Sequence, residues 1–406
     1  MKVLFLCGGI GKRMYPLSED KLLLDFLGKT LLEHQISIVT KKGLKKLIFV
    51  CNPQNRIWIE EITRRIPDLS VEYSVQKNAL GIANALECAS NFLNDETLIV
   101  NPNDVFEDEA IEKLLQASRK YKADSYMLGY KVNRYFPGGY LLTNGQGQLT
   151  NIIEKPGEGN EPSDMVNILL HLHSDPQSLL NTISRVRTIE DDAYERSLTR
   201  MCESGKKIRV VPYCGRWVAI KYPWHILDTV RFFLDHSRSY ISPTAKIAPS
   251  AIIDGKVVIS DEVTILEHAV IKGPAYIGPR TVIGNCTLIR AYTHVGANCV
   301  VGFSTEIKGS YIDKGSNFHM NYVGDSIIGK YCNFGAGTII ANWRFDDKSV
   351  SVKIGDARVD TGTNKMGAVI GNNCKMGINA SIMPGIKINP GSVIKPSQLV
   401  SNDING

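Results

Sequence analysis

The sequence predicts an α/β chain in two parts: a mostly parallel sheet flanked by helices, then a parallel β-helix built from six-residue units. Three observations carry this. Apolar β-runs alternate with helical-period stretches through the first half. A glycine turn ends the first β-run, where such sheets bind ligands. In the second half an aliphatic residue recurs at every sixth position.

The first β-run, at 2–6, breaks at Gly8-Gly9-Ile10-Gly11-Lys12-Arg13. It leads straight into this turn with no small-residue cleavage site, so it reads as a strand and not a signal peptide. Further β-runs lie at 46–50, 71–75, 97–101 and 124–131, with helical stretches near 31–42, 55–66, 82–93 and 107–121. The turn is not a dinucleotide fingerprint, because Met14 takes the third glycine position. It is not a P-loop either, because Arg13 follows Lys12 where Ser or Thr belongs. A polyphosphate cradle and a plain tight turn both fit it.

At 406 residues the chain exceeds one domain, and 43% hydrophobic with 22% charged is ordinary for a globular protein. No apolar run reaches the roughly 18–20 residues of a membrane span, so a cytoplasmic protein without a membrane partner is expected. A net charge of +6 fits anionic substrates, and no basic run with interleaved aromatics points to nucleic acid. Nine scattered cysteines with no C-x-x-C read as reduced core residues.

Several motifs of the first half occur in the order found in sugar-1-phosphate nucleotidylyltransferases, which residues 1–230 resemble. These are Gly8-Gly9-x-Gly11-x-Arg13-Met14-x-Pro16-Leu17, Lys21-x-Leu23, Gly28-Lys29-x-Leu31-x-Glu33-His34, Gln76 with Leu80-Gly81-x-Ala83, and Asn103-Asp104. Gly139, Glu154-Lys155-Pro156 and Asn167 follow, and the run from Trp217 to Leu227 resembles the segment that closes the sheet. The resemblance implies a Rossmann-like nucleotidyltransferase domain. In it Gly8, Gly9 and Gly11 cradle the nucleotide, Arg13 sits on the leaving phosphates and Lys21 on the α-phosphate. Gln76 and Gly81 would read the base, Asp104 would hold Mg²⁺, and Gly139, Glu154, Lys155 and Asn167 would bind the sugar phosphate. The reaction needs positioning and charge neutralisation rather than covalent help.

The sequence departs from that pattern where a second metal-ligating acid is expected. Ala219 stands there, Lys221 replaces the glycine two residues on, and Asn103 replaces the glycine before Asp104. Ala219 cannot coordinate a cation, which predicts weak or absent nucleotidylyl transfer. It gives the alternative reading, a first half that only binds nucleotide or sugar nucleotide.

Residues 225–239 have helical period and read as a linker helix, with His225 and His236 as surface or packing residues. From Ile241 to Ile307, twelve consecutive sixth positions are Ile or Val. The period returns at Ile328, Phe334 and Ile340, and again from Ile370 to Ile394. Residues 240–400 thus predict coils with an inward aliphatic column. Such hexapeptide runs resemble the left-handed β-helix of acyltransferases, which implies a homotrimer with sites between neighbouring prisms. A structural spacer, or a trimeric scaffold without catalysis, is the bland reading. Polar excursions at 343–353 and about 355–369 interrupt the repeat, where function tends to reside.

Arg290, Lys308, His319-x-x-Tyr322-x-Gly-Asp-Ser, Asn333-x-Gly-Ala-Gly-Thr, Asn342 and Lys348 resemble the acetyltransferase half of the bifunctional glucosamine-1-phosphate acetyltransferase / N-acetylglucosamine-1-phosphate uridylyltransferases. Gly377 to Gly385 and the loop at Arg344 resemble their archaeal-type branch. An amine attacking a thioester must lose a proton, and His319 is the residue type for that base. By the resemblance Tyr322 and Asn333 orient base and amino sugar, and Asn342 contacts the sugar. Arg290, Lys308 and Lys348 clamp the sugar phosphate, and Ala336, Gly337 and Ala368 hold acetyl-CoA. The expected substrates are a sugar 1-phosphate, UTP or dTTP, and acetyl-CoA.

Overall fold

The computed structural model describes residues 1–405. They divide into two compact units: Met1–Ile10 with Leu32–Trp217, and Gly11–Leu31 with Val218 onward.

The first unit holds a nine-stranded sheet. Lys2–Cys7 lies at its centre, parallel to Lys46–Cys51 and Thr97–Val100. Ser70–Val75 extends it on one side. Val3, Leu4, Phe5, Ile48 and Val50 are all fully buried, the apolar runs a central parallel strand needs. The sheet is less parallel than the sequence suggests. Met165–His173 runs antiparallel to Thr97–Val100, Ser125–Lys131 and Gly139–Thr143. The hairpin of Gly139–Thr143 with Leu149–Glu154, closed through Asn144, introduces this reversal. The helices Leu31–Lys41, Arg56–Arg64, Gly81–Cys88 and Glu109–Lys120 fall where the helical period lies.

In the second unit the six-residue repeat becomes three eight-stranded parallel sheets of two- and three-residue strands, a left-handed β-helix. Ile265, Ile271, Ile277, Ile283, Ile289, Val295, Val301 and Ile307 fill one buried core in three stacks, one per sheet: Ile265 pairs with Ile283 and then Val301, Ile271 with Ile289 and then Ile307, and Ile277 with Val295. The first coil is different: Ile241 is 48% exposed, because it has no coil beyond it to cover it. Corner residues turn the chain with left-handed backbone six residues apart, at Arg280, Cys286, Tyr292, Asn298 and Ser304, with φ between 53° and 60°. Further along the core, rings take the inward place and stack, Phe318 on Phe334 at 4.6 Å. The two expected interruptions are one excursion, a hairpin of Ser351–Ile354 with Ala357–Asp360. After it Val369 pairs directly beside Ile327.

The linker helix spans His225–His236. His225 Nδ1 accepts from the Lys221 N–H at 3.0 Å, and His236 Nδ1 donates to the Phe232 carbonyl at 2.7 Å, so both histidines serve local packing. Gly11–Leu31 packs on the β-helix of its own unit. Glu19 pairs with Lys330, Asn372 donates to Ser18 at 3.1 Å, and buried Phe26 meets Tyr311 and Phe233 at ring distances of 5.8 and 5.4 Å.

Candidate functional site

On the β-helix the strands Glu306–Lys308 and Tyr322–Gly324 lie side by side, with Ile289 paired to Ile307 and Lys308 to Gly324. Parallel register therefore stacks Arg290 beside Lys308. Both line a cleft of about 320 Å³ with Arg231, Lys365 and Asp325. Asp325 is the electrostatic centre of this cleft. Its side chain is 6% exposed and accepts from Lys308 Nζ at 3.2 Å and from Asn342 Nδ2. Tyr322 in turn donates to Asn342 Oδ1 at 3.3 Å. Burial first, then Glu306 and Asp325, pushes the Tyr322 phenol up, so it remains a donor at neutral pH. A methyl group at Gly324 would lie 2.7 Å from Asn342 Cγ, so only glycine lets this network close.

His319 stands at the corner that enters the same strand. Its backbone is held by Asn321 Oδ1, which accepts its N–H at 2.7 Å, and by Thr305, which donates to its carbonyl at 3.1 Å. Its side chain is exposed. The next coil brings Ala336 and Gly337 alongside, with Gly337 N–H donating to the Met320 carbonyl at 2.8 Å. Asn333 is exposed between Asn317 and Lys375. Among the described residues no hydrogen bond joins His319 or Asn333 to the Lys308–Asp325–Asn342–Tyr322 set. Ala368 is fully buried, its N–H on Ser326 Oγ at 3.1 Å and its carbonyl on Ile327 N–H at 2.9 Å. Lys348 is exposed, its N–H directed at Asp346, whose carboxylate Arg344 grips and holds near pKa 2. Sequence reasoning placed Asp325 in the His319 motif without a role, and missed Arg231 and Lys365. The motif placed Asp325 but showed none of its partners, whereas nothing in local pattern marks Arg231 or Lys365.

In the first unit the candidate residues form two groups. A side chain at Gly8 would overlap the Gln76 amide, so the glycine loop runs directly against Gln76. Gln76 Nε2 donates to the Gly81 carbonyl at 2.9 Å and to Asn84 at 3.1 Å. Gly9 accepts from Asn52 at 3.4 Å. In the other group, a Cβ at Gly139 would lie 3.1 Å from Glu154 Oε2 and 3.7 Å from Asn167 Cβ, so the three line one recess. Lys155 pairs with Glu154 at 2.8 Å. Asp104 accepts from Trp217 Nε1 at 3.1 Å and from Asn101 Nδ2 at 2.8 Å. In the second unit, Gly11 has φ 62°, Lys21 Nζ donates to the Ile220 carbonyl at 3.2 Å beside Ala219, and the Arg13 guanidinium lies 5.9 Å above the Tyr222 ring.

A glycine-loop sheet unit joined to a hexapeptide prism with a cationic cleft defines a two-part transferase class. Residues 2–204 match the family model described as Nucleotidyl transferase. The chain is 38% identical to the "Bifunctional protein GlmU" of Methanococcus maripaludis strain C7, covering 100% of this chain and 95% of that one. It is 33% identical to the "Bifunctional sugar-1-phosphate nucleotidylyltransferase/acetyltransferase" of Sulfurisphaera tokodaii, covering 100% and 98%. A UDP-glucose pyrophosphorylase solved with UDP-glucose shares the fold over 58% of this chain and 99% of its own, with TM-score 0.50 and 16% identity. The chain belongs to the family of bifunctional sugar-1-phosphate nucleotidylyltransferase/acetyltransferases. Its relatives support two activities and give no support to a first half that only binds.

Proposed function

We propose that residues 240–400 acetylate the amine of a hexosamine 1-phosphate with acetyl-CoA. Residues 1–230 then join the N-acetylated sugar 1-phosphate to UTP or dTTP, releasing pyrophosphate, with 225–239 as the connecting helix. The observation that carries the reading is the cationic cleft, with its Lys308–Asp325–Asn342–Tyr322 network, on the coils that also bear His319.

The amine lone pair attacks the thioester carbonyl, His319 takes the N–H proton, and coenzyme A leaves as its thiolate and regains a proton. Arg290 and Lys308 hold the sugar phosphate, joined by Lys348 from the excursion. Tyr322, Asn333 and Asn342 orient the amino sugar. Ala336 and Gly337 offer backbone to the thioester and pantetheine arm, with Ala368 packing behind. His319 and the cleft occupy opposite corners of one short strand, which favours a homotrimer in which neighbouring chains complete each site.

In nucleotidylyl transfer the sugar phosphate oxygen attacks the α-phosphorus and the bond to pyrophosphate breaks. Gly8, Gly9 and Gly11 approach the nucleotide, and Gln76 and Gly81 read its base. Arg13 and Lys21 neutralise the phosphates, while Gly139, Glu154, Lys155 and Asn167 bind the sugar phosphate. The residues present fit a small hard cation: Asp104 offers a carboxylate, and the buried Asn103 Oδ1 has no hydrogen-bond partner among the described residues. Oxygen donors of this kind suit Mg²⁺, which supplies charge neutralisation when bound. We place the reaction in the cytoplasm.

The test is His319→Ala. We expect acetyl-CoA-dependent N-acetylation of glucosamine 1-phosphate to fall at least about a hundredfold, with pyrophosphate release and oligomeric mass unchanged. Acetylation at the wild-type rate would overturn the assignment.

A further inference from the structure

Behind Asn167 lies a fully buried polar chain that the reading above does not use. His171 Nε2 meets Asn167 Oδ1 at 2.7 Å, and His171 Nδ1 meets Tyr194 Oη at 2.6 Å. Tyr194 Oη meets His173 Nε2 at 3.2 Å, and His173 Nδ1 meets Ser125 Oγ at 2.8 Å. His171, His173, Tyr194 and Ser125 are each no more than 2% exposed. Burial keeps both imidazoles neutral, with His173 pushed down to about 4 and His171 well below its ordinary value.

With Asn167 Oδ1 turned to His171, one arrangement of protons follows. Asn167 Oδ1 only accepts, so His171 Nε2 carries the proton. A neutral ring then has a bare Nδ1, so Tyr194 donates to it. The single Tyr194 hydroxyl proton is thereby used, so its oxygen accepts from His173 Nε2–H. His173 Nδ1 is bare in turn, and Ser125 donates to it. Four hydrogen bonds run in one direction and end on the carbonyl side of the Asn167 amide.

We propose that Ser125, His173, Tyr194 and His171 form a one-way relay that locks the Asn167 amide, so that its Nδ2–H donors are presented to the sugar. The inference rests on the reading of Asn167 as a sugar ligand. The relay residues touch no substrate; they are positioning residues. Without them the amide is free to turn over and offer an acceptor where the site needs a donor. The relay thereby determines which sugars are accepted: those with a hydroxyl or carbonyl oxygen opposite Asn167.

The experiment is a double-mutant cycle in the full-length protein with Tyr194→Phe, Asn167→Ala and both. Pyrophosphate release is followed with UTP, Mg²⁺ and N-acetylglucosamine 1-phosphate, and calorimetric binding of the sugar phosphate is read in parallel because it needs no turnover. Tyr194→Phe keeps the ring that stacks on His171 and removes only the hydroxyl. It is expected to raise KM and Kd for the sugar phosphate about tenfold, the cost of one misdirected hydrogen bond, and to leave KM for UTP and the rate of N-acetylation unchanged. In the Asn167→Ala background it should add nothing. His171→Gln, whose amide can still donate, should retain binding that His171→Leu loses. An equal Tyr194→Phe increment in both backgrounds would mark a general packing role and overturn the relay, as would no increment at all. No effect of Asn167→Ala itself would overturn the sugar-ligand reading, and the relay with it.

Discussion

Glu195 sits one residue from the relay tyrosine and shows what burial does to a carboxyl group. Burial first, then the nearby charge of Glu154, pushes its pKa up to about 8 from an ordinary 4.5. The folded state therefore holds a proton that the unfolded chain has lost. Between those two values stability falls as pH rises, by about 1.4 kcal/mol per unit. Glu195→Gln removes that slope: melting temperature should rise relative to wild type at pH 8.5 and stay level at pH 4.5. Thermal melts at the two values check this; an equal shift at both would mean that the carboxyl is ionised in the fold. Such a group leaves no mark on the sequence, since neither the burial of residue 195 nor its acidic neighbours follows from local pattern.

The strands of the β-helix were readable because their cause is periodic. One aliphatic residue in six must point inward in every coil, and nothing in the rest of the chain competes with that pattern. Ile289→Ala should cost about 2–5 kcal/mol in chemical denaturation, by opening a cavity between two coils that cannot close on it. Motif order was equally readable, so the candidate residues around Lys308 and around Glu154 do fall together. Strands such as Gly139–Thr143, Leu149–Glu154 and Ile208–Tyr213 escaped notice. They mix polar with apolar residues, and long-range pairing decides them rather than local period. Cleft residues from distant segments escaped for the same reason: Arg231 comes from a helix and Lys365 from the end of a hairpin excursion. The strand Tyr322–Gly324 offers a direct test of the cleft. Gly324→Ala pushes against Asn342 and the Tyr322 hydroxyl, and should raise KM for the sugar phosphate about tenfold or more, the loss of one charge-assisted contact. Acetylation kinetics at varied sugar phosphate read it out.

Across the chain, one segment joins early sequence to late structure. Phe26 is fully buried against Tyr311 and Phe233, although almost three hundred residues separate it from Tyr311. Phe26→Ala should cost about 3–5 kcal/mol, read as a lower denaturation midpoint of the unit that contains the β-helix. The same folding back of Gly11–Leu31, the stretch that bears Arg13 and Lys21, has an evolutionary consequence. A gene cut once near codon 240 would not yield two self-sufficient proteins, because the upstream piece would lose the aromatic cover of Phe26 and the partner of Glu19. Recombination that swaps only the downstream half would have to bring matching residues at 311 and 330. The two catalytic halves are therefore expected to be inherited together, as a matched pair rather than as interchangeable modules.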